Sequence, residues 1–236
     1  MGRFSLAVFG RKILPERCMI YAGAYVPARK ERIKRLFDKW TFVRGNWLPY
    51  AFARKGRKTF LILFNVYGAS MMLEVLHHIR DGGVKRVFFI GSMFAKKLPV
   101  GTLVLPTEAL DKAGIVSIDS PGNTMPQAGR DSLRETSLSL KRHNLLFKEA
   151  RIVSVPCVIH GIESIHEFVR KRDDIAGVEM ELSTYFHFSR KLRLRSYALI
   201  YVSDNQRYDV ISSARAVREV RRKALKYITK VAQELL

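Results

Sequence analysis

Continuous apolar runs, each followed by a stretch of helical periodicity, constrain this chain more than any other feature. Thr59-Phe60-Leu61-Ile62-Leu63-Phe64-Asn65-Val66 reads as a buried strand, and Ser70 to Arg80 has helical character after it. Lys85 to Ser92 is a second buried strand, Thr102 to Pro106 a third, Arg151 to Ile159 a fourth and Tyr197 to Ser203 a fifth. A helix is expected over 163–171. Another is expected over 213–236, where Val217, Val220, Ala224, Ile228, Val231 and Leu235 recur at intervals of three or four. Strands apolar on both faces and alternating with helices predict an α/β protein, with a mixed, mostly parallel sheet covered by helices on both sides. Trp40 to Phe52, around Arg44-Gly45-Asn46, reads as a hairpin. No repeat or linker divides the 236 residues, so one domain over 1–236 is expected, with 119–130 as a surface loop.

Charge narrows the partners. The chain carries 42 Lys+Arg against 21 Asp+Glu, a formal +21. Residues 1–60 hold 15 basic and 3 acidic side chains, and residues 181–236 hold 12 and 5. Such a surface attracts phosphates, nucleic acid or anionic membranes, but does not dictate a fold. No run of 18 apolar residues predicts a membrane span, and Arg3, Arg11 and Lys12 make the N-terminus a poor signal peptide, so a cytoplasmic protein is expected. The Lys and Arg content, with few Asn and Gln, suggests a thermophile. Cys18 and Cys157 imply no disulfide framework, and Cys157 reads as a buried strand residue. His77-His78 reads as a surface pair rather than a metal site. No P-loop or dinucleotide fingerprint is present.

In sheets of this class ligands gather at the carboxyl ends of strands. Tyr67-Gly68-Ala69-Ser70, Gly91-Ser92, His160-Gly161 and Ser203-Asp204-Asn205 occupy those positions. Their small residues would let backbone approach a ligand, and would equally serve as ordinary turns. Gly177-Val178-Glu179-Met180-Glu181, at the junction of an apolar stretch and a helix, resembles the signature of the nucleoside phosphorylase family. Val202-Ser203-Asp204-Asn205 resembles that family's base-binding segment. Gly83-Val84-Lys85-Arg86-Val87 leading to Ile90-Gly91-Ser92, then Leu98 to Val104, is similar to its central strand and following loop. Val43-Arg44-Gly45 and Lys55-Gly56-Arg57-Lys58 also fit, and the similarity runs in order from about Arg17 to the C-terminus.

The resemblance implies cleavage of a nucleoside N-glycosidic bond by phosphate, through an oxocarbenium-like transition state. It gives Glu181 the ribose hydroxyls and the developing positive charge, while Met180 packs on the sugar and Glu179 lies in the same substrate-binding segment. Asp204 becomes the general acid toward the purine, with Ser203 and Asn205 in the base pocket and Arg215 or Arg218 supporting the acid. Phosphate falls to Ser92 and Gly91, to Gly23 and Arg29 in the first loop–helix segment, and to Arg44, which in hexameric members reaches a neighbouring subunit. The implied partners are a purine nucleoside and phosphate as co-substrate, within a homo-oligomer (dimer, trimer of dimers or hexamer), with no cofactor and no metal.

The sequence also departs from the family. Gly23-Ala24-Tyr25-Val26-Pro27-Ala28-Arg29 replaces a Gly-Asp-Pro-x-Arg loop, and Phe89 stands where phosphorylases carry an arginine. The hydrolytic branch also lacks that arginine, and Gly23-Ala24 resembles its loop; yet the branch supplies a water-activating Glu, which 25–28 lack. The leaving-group side is complete and the nucleophile side is not. A phosphorylase, a nucleosidase and a nucleoside-binding relative stay open. Nucleic-acid binding is the reading outside this family, supported by aromatics interleaved with cations over 36–58.

Overall fold

The computed structural model describes residues 3–23, 27–157, 167–169, 171–205 and 215–236. Nine strands form one sheet in the order β2-β3-β4-β1-β5-β8-β7-β6-β9. They are β1 (Arg17–Ala22), β2 (Lys39–Val43), β3 (Tyr50–Lys55), β4 (Lys58–Val66), β5 (Arg86–Ala95), β6 (Leu103–Asp111), β7 (Phe147–Ser154), β8 (Ile175–Glu179) and β9 (Arg195–Asn205). The helices are α1 (Arg3–Phe9), α2 (Pro27–Lys34), α3 (Ala69–Asp81), α4 (Ile115–Asp119), α5 (Arg130–Arg142), α6 (Leu182–Lys191) and α7 (Arg215–Leu235). The expected α/β class with a mixed sheet flanked by helices is what the chain adopts.

One pairing closes the sheet on itself. β5 pairs with β8 and also, in parallel, with β9, which pairs with β6. Strands β5, β9, β6, β7 and β8 therefore form a closed ring, and β1, β4, β3 and β2 extend from β5 as an open wing. Closure removes an edge that would otherwise expose unpaired backbone groups.

Apolar residues on both faces of the central strands demand two cores. Phe89 and Met93 of β5 point into one with Leu182, Tyr185 and Phe186 of α6 and Met72, Val75 and Ile79 of α3. Phe88 and Ile90 point into the other with Ile33 of α2 and Ala224, Ile228 and Val231 of α7. The helical repeat of the last segment is thus explained: its apolar stripe covers β1, β5 and β9. Its C-terminal carbonyls are capped by cations. Lys58 Nζ donates to the Gln233 (3.1 Å) and Glu234 (2.9 Å) carbonyls, and Arg17 Nε to that of Leu236; cations here complement the negative helix end.

Several expectations need correction. The strand expected over 151–159 runs over Phe147–Ser154, and Cys157 lies beyond its end, half-buried rather than in the core. The strand from 102 extends to Asp111, because its second half pairs with β7. His78 is not a surface residue: its side chain is 16% exposed and its ring meets Trp47 edge-on at 5.1 Å. The aromatics of 36–58 do not form an exposed platform. Phe37 and Tyr50 are buried and Trp40, Phe42 and Phe52 pack on the cores, so burial accounts for these five, while Trp47 is 39% exposed with its ring against His78. His160-Gly161 and most of the helix expected over 163–171 lie outside the described residues, as do Ala24 to Val26. Among the described residues no helix is long and apolar enough to cross a membrane, and no group of three metal-ligating side chains occurs.

Candidate active site

The site is built where β5 changes partners. Phe94 pairs with Val178 of β8 on one side and with Asp204 of β9 on the other. Strands lie about 4.8 Å apart, so Val178 and Asp204 are about 10 Å apart across β5. The Glu-Met-Glu segment and the Ser-Asp-Asn segment are thereby brought to one end of the sheet.

Glu179 and Glu181 are both buried, 3% and 5% exposed. Glu179 works for the backbone. Its carboxylate accepts from the Glu181 N–H (2.6 Å), the Leu182 N–H (2.9 Å) and the Ser154 hydroxyl, satisfying the otherwise unpaired amides that open α6. Ser154 Oγ in turn accepts from the Ser183 N–H (2.8 Å), and Ser183 Oγ donates to Asp111 (2.9 Å). This chain of bonds fixes the turn that presents Glu181. One Glu181 oxygen accepts from the Gly68 N–H at 2.7 Å. Gly68 has φ +84°, a left-handed value that glycine adopts without strain, and this aims its N–H at the carboxyl. Met180 is buried, its methyl facing the open side of Gly68.

Burial and the adjacent Glu179 push the Glu181 carboxyl well above the ordinary carboxylate range, and burial raises Glu179 too. The two carboxyl groups therefore oppose each other's ionisation in a sheltered setting. Tyr67, half-exposed, stands beside them: burial, then Glu181, then Cys157 raise its hydroxyl pKa. Sequence reasoning placed Tyr67 at a strand end without a role; a bulky aromatic before the Gly68 turn is the signal it offered.

The other half of the site is a β-bulge. Met93 pairs with Val202 and Phe94 with Asp204, leaving Ser203 as the extra residue; bulges commonly re-aim side chains next to active sites. The Ser203 hydroxyl lies 3.2 Å from the Met93 carbonyl and donates to the Asp204 carboxylate. The Ser203 carbonyl accepts from Arg221 Nε of α7 at 2.5 Å. Among the described residues the α7 arginine that reaches the bulge is thus Arg221, whereas Arg215 and Arg218 are exposed. Helical phase selects it: Arg221 lies at the margin of the buried stripe that includes Leu225 and Ile228. Asn205 is directed at the loop after β5, donating to the Leu98 carbonyl at 3.1 Å.

The candidate anion residues are less tightly gathered. Ser92 is half-buried and pairs with Tyr201, on the sheet face of Phe88 and Ile90 that α2 and α7 cover. Arg29 of α2 is on that same side, close enough to Tyr21 to act on its hydroxyl. Gly23 ends β1 with φ +86°, bonded to the Val66 carbonyl at 2.9 Å. Arg44 is exposed on the β2–β3 loop at the far wing of the sheet, so one chain does not bring it to the others.

Phe89 and Gly91 share the opposite face, where Glu181 lies. Phe89 is 1% exposed and packs against Tyr185 with ring centroids 5.3 Å apart. A Cβ built on Gly91 would fall 2.5 Å from the Phe89 ring, so the space over Gly91 is filled by Phe89. Gly91 therefore admits its own neighbour, not a ligand. Phe89→Arg should consequently fail to install a phosphate site. It would bury an unpaired guanidinium in the core and lose about 3 kcal/mol or more, checked by chemical denaturation.

A nine-stranded α/β fold whose Glu-Met-Glu turn and Ser-Asp bulge meet at one end of the sheet defines a phosphorylase-type protein. The sequence model of the phosphorylase superfamily matches residues 15–236, and the chain belongs to that superfamily. Uridine phosphorylase from Vibrio fischeri ES114 is similar in structure, with TM-score 0.78 and 17% identity over 94% of this chain and 91% of that one. The same enzyme complexed with 6-hydroxy-1-naphthoic acid gives TM-score 0.74 and 19% identity over 93% and 88%. The 5′-methylthioadenosine/S-adenosyl homocysteine nucleosidase of Campylobacter jejuni gives 0.73 and 15% over 92% and 99%. No curated protein matches the chain.

Proposed function

We propose that this chain cleaves the N-glycosidic bond of a purine nucleoside, with phosphate accepting the sugar. The observation that carries this reading is the buried Glu181, held by the Gly68 amide and the α6 turn at the same sheet end as the Ser203–Asp204 bulge. Glu181 would hold a carboxyl group, sheltered from water, beneath a sugar. It would stabilise an oxocarbenium-like transition state more than the neutral substrate. Met180 and Tyr67 would bracket the sugar. Asp204, kept in place by Ser203, would donate a proton to the departing base, and Arg221 would hold the bulge backbone rather than touch substrate. Phosphate would enter from the α2 and α7 side, where Ser92 and Arg29 lie, and no cofactor is needed. Arg44 would act on a neighbouring subunit's site in a cytoplasmic homo-oligomer.

Hydrolysis is the second reading, favoured by one observation: Phe89 replaces a cation with a buried ring on the Glu181 face. Release of free base from inosine, adenosine and 5′-methylthioadenosine, with and without phosphate and up to elevated temperature, separates the two. Phosphate-dependent release that drops about 10²–10⁴-fold in Asp204→Ala supports the phosphorylase. Phosphate-independent release means a nucleosidase. No release from any substrate overturns catalysis and leaves a binding protein. Arg221→Met should lower turnover with KM nearly unchanged, because the guanidinium holds the bulge and not the substrate; a raised KM alone would contradict this role.

A further inference from the structure

We propose that the outer face formed by α2 and α7 is a docking surface for the phosphate backbone of a nucleic-acid duplex. The two helices lie side by side: Ile33 packs in one cluster with Ala224 and Ile228, and Gln233 Nε2 donates to the Leu36 carbonyl at 2.8 Å. α7 carries seven Lys and Arg against two Glu. One of the two, Glu234, is already engaged by Ser139, Arg142 and His143. Arg32 of α2 lies near Arg222 of α7, and Arg35 just after α2 and Arg218 and Lys226 of α7 are exposed as well. Among the described residues none of these five has a carboxylate within 4 Å. Burial, then the neighbouring Arg222, Arg29 and Arg35, hold the Arg32 guanidinium below its ordinary pKa. The folded chain thus gathers like charges that repel, and an external polyanion would relieve this.

The occupant follows from what the face offers. A second copy pressing the same surface against it would oppose cation to cation. A bilayer would need a continuous apolar face, but from Ala224 onward the α7 stripe is spent on the core, and Val220 and Tyr227 are exposed singly among cations. A single strand needs exposed rings on which to stack bases; Trp40 and Phe37 are packed into the core, leaving Tyr227, 39% exposed, on this face. From Arg218 to Lys226 the stripe rises about 12 Å. Guanidiniums spaced along a rigid rod suit a duplex, which presents one phosphate charge per about 1.7 Å of axis and requires no base contact.

The test is fluorescence anisotropy with a labelled duplex of about 20 base pairs, titrated across salt. Five phosphate contacts predict a slope of log K against log salt of about −4 to −5, or a loss of about five hundredfold between 50 and 200 mM. Arg32→Glu/Arg222→Glu should weaken binding at least tenfold and reduce the slope by about 2, at unchanged thermal stability. Lys148→Glu/Arg190→Glu changes net charge equally on exposed residues elsewhere and should cost less than threefold. Equal losses in both doubles would overturn the proposal, since attraction would then come from net charge alone. Poly-glutamate, a single strand of equal charge, or vesicles rich in phosphatidylserine binding more tightly than the duplex would overturn the choice of partner.

Discussion

Glu181→Gln should lower kcat/KM by about 10²–10³-fold while leaving the fold as stable as before or more so. Glutamine has the same shape, and its carbonyl can still accept from the Gly68 amide. It cannot bear charge or accept from both ribose hydroxyls. The stability half follows from linkage. A carboxyl raised in the folded state contributes stability below its unfolded pKa and loses it as pH rises through the folded value, because ionisation would put charge in a buried site. Wild-type stability should therefore decline toward alkaline pH, and in Glu181→Gln that decline should shrink. Each kcal/mol of relief raises Tm by about 2–4 °C in a chain of this size. Thermal scans across pH, beside steady-state turnover, check both halves. A variant that is active, or one that melts lower at every pH, contradicts the placement of Glu181.

Gly177→Ala should be the most damaging single methyl in the site. A Cβ at 177 would fall 2.1 Å from the Phe94 carbonyl oxygen, 2.9 Å from Met93 Cε and 3.2 Å from Ala95 Cα; the methionine can rotate away but the two backbone atoms cannot. The clash lies where β8 closes the ring onto β5, and relief requires the strands to part. Overpacking of this kind costs about 3 kcal/mol or more, against at most about 1 kcal/mol gained from stiffening the unfolded chain. Tm should fall by about 4 °C or more, and activity further, because Glu179 and Glu181 follow directly on the displaced strand. Gly129→Ala, whose Cβ would meet Ser132 Oγ at 3.6 Å, should change stability by no more than about 1 kcal/mol.

The parts of the fold legible in the sequence were those where one local rule decides. Thr59 to Val66 and Tyr197 to Ser203 are long apolar runs and became β4 and β9; the stripe from Val217 to Leu235 became α7. β1 and β8 are short, six and five residues, and their apolar runs are too brief to distinguish a strand from a buried loop. Cys157 and His78 were misplaced because burial of a single residue depends on what packs over it, here a strand that ends early and Trp47 from a distant loop.

At the site, the sequence by itself determined the chemical groups: two glutamates around a methionine, a serine beside an aspartate, and an aromatic where an arginine would be expected. Tertiary structure decided their division of labour. Spacing treats Glu179 and Glu181 alike, but only the meeting of α6, β7 and the Gly68 turn sets one against the amides that open α6 and the other against the Gly68 N–H. Only the bulge at Ser203 aims Asp204, and only the phase of a 21-residue helix selects Arg221 over Arg215 and Arg218. The reason is physical. Residue type fixes what a side chain can donate or accept, whereas burial and partners, set by strands far apart in the chain, fix what remains for it to do.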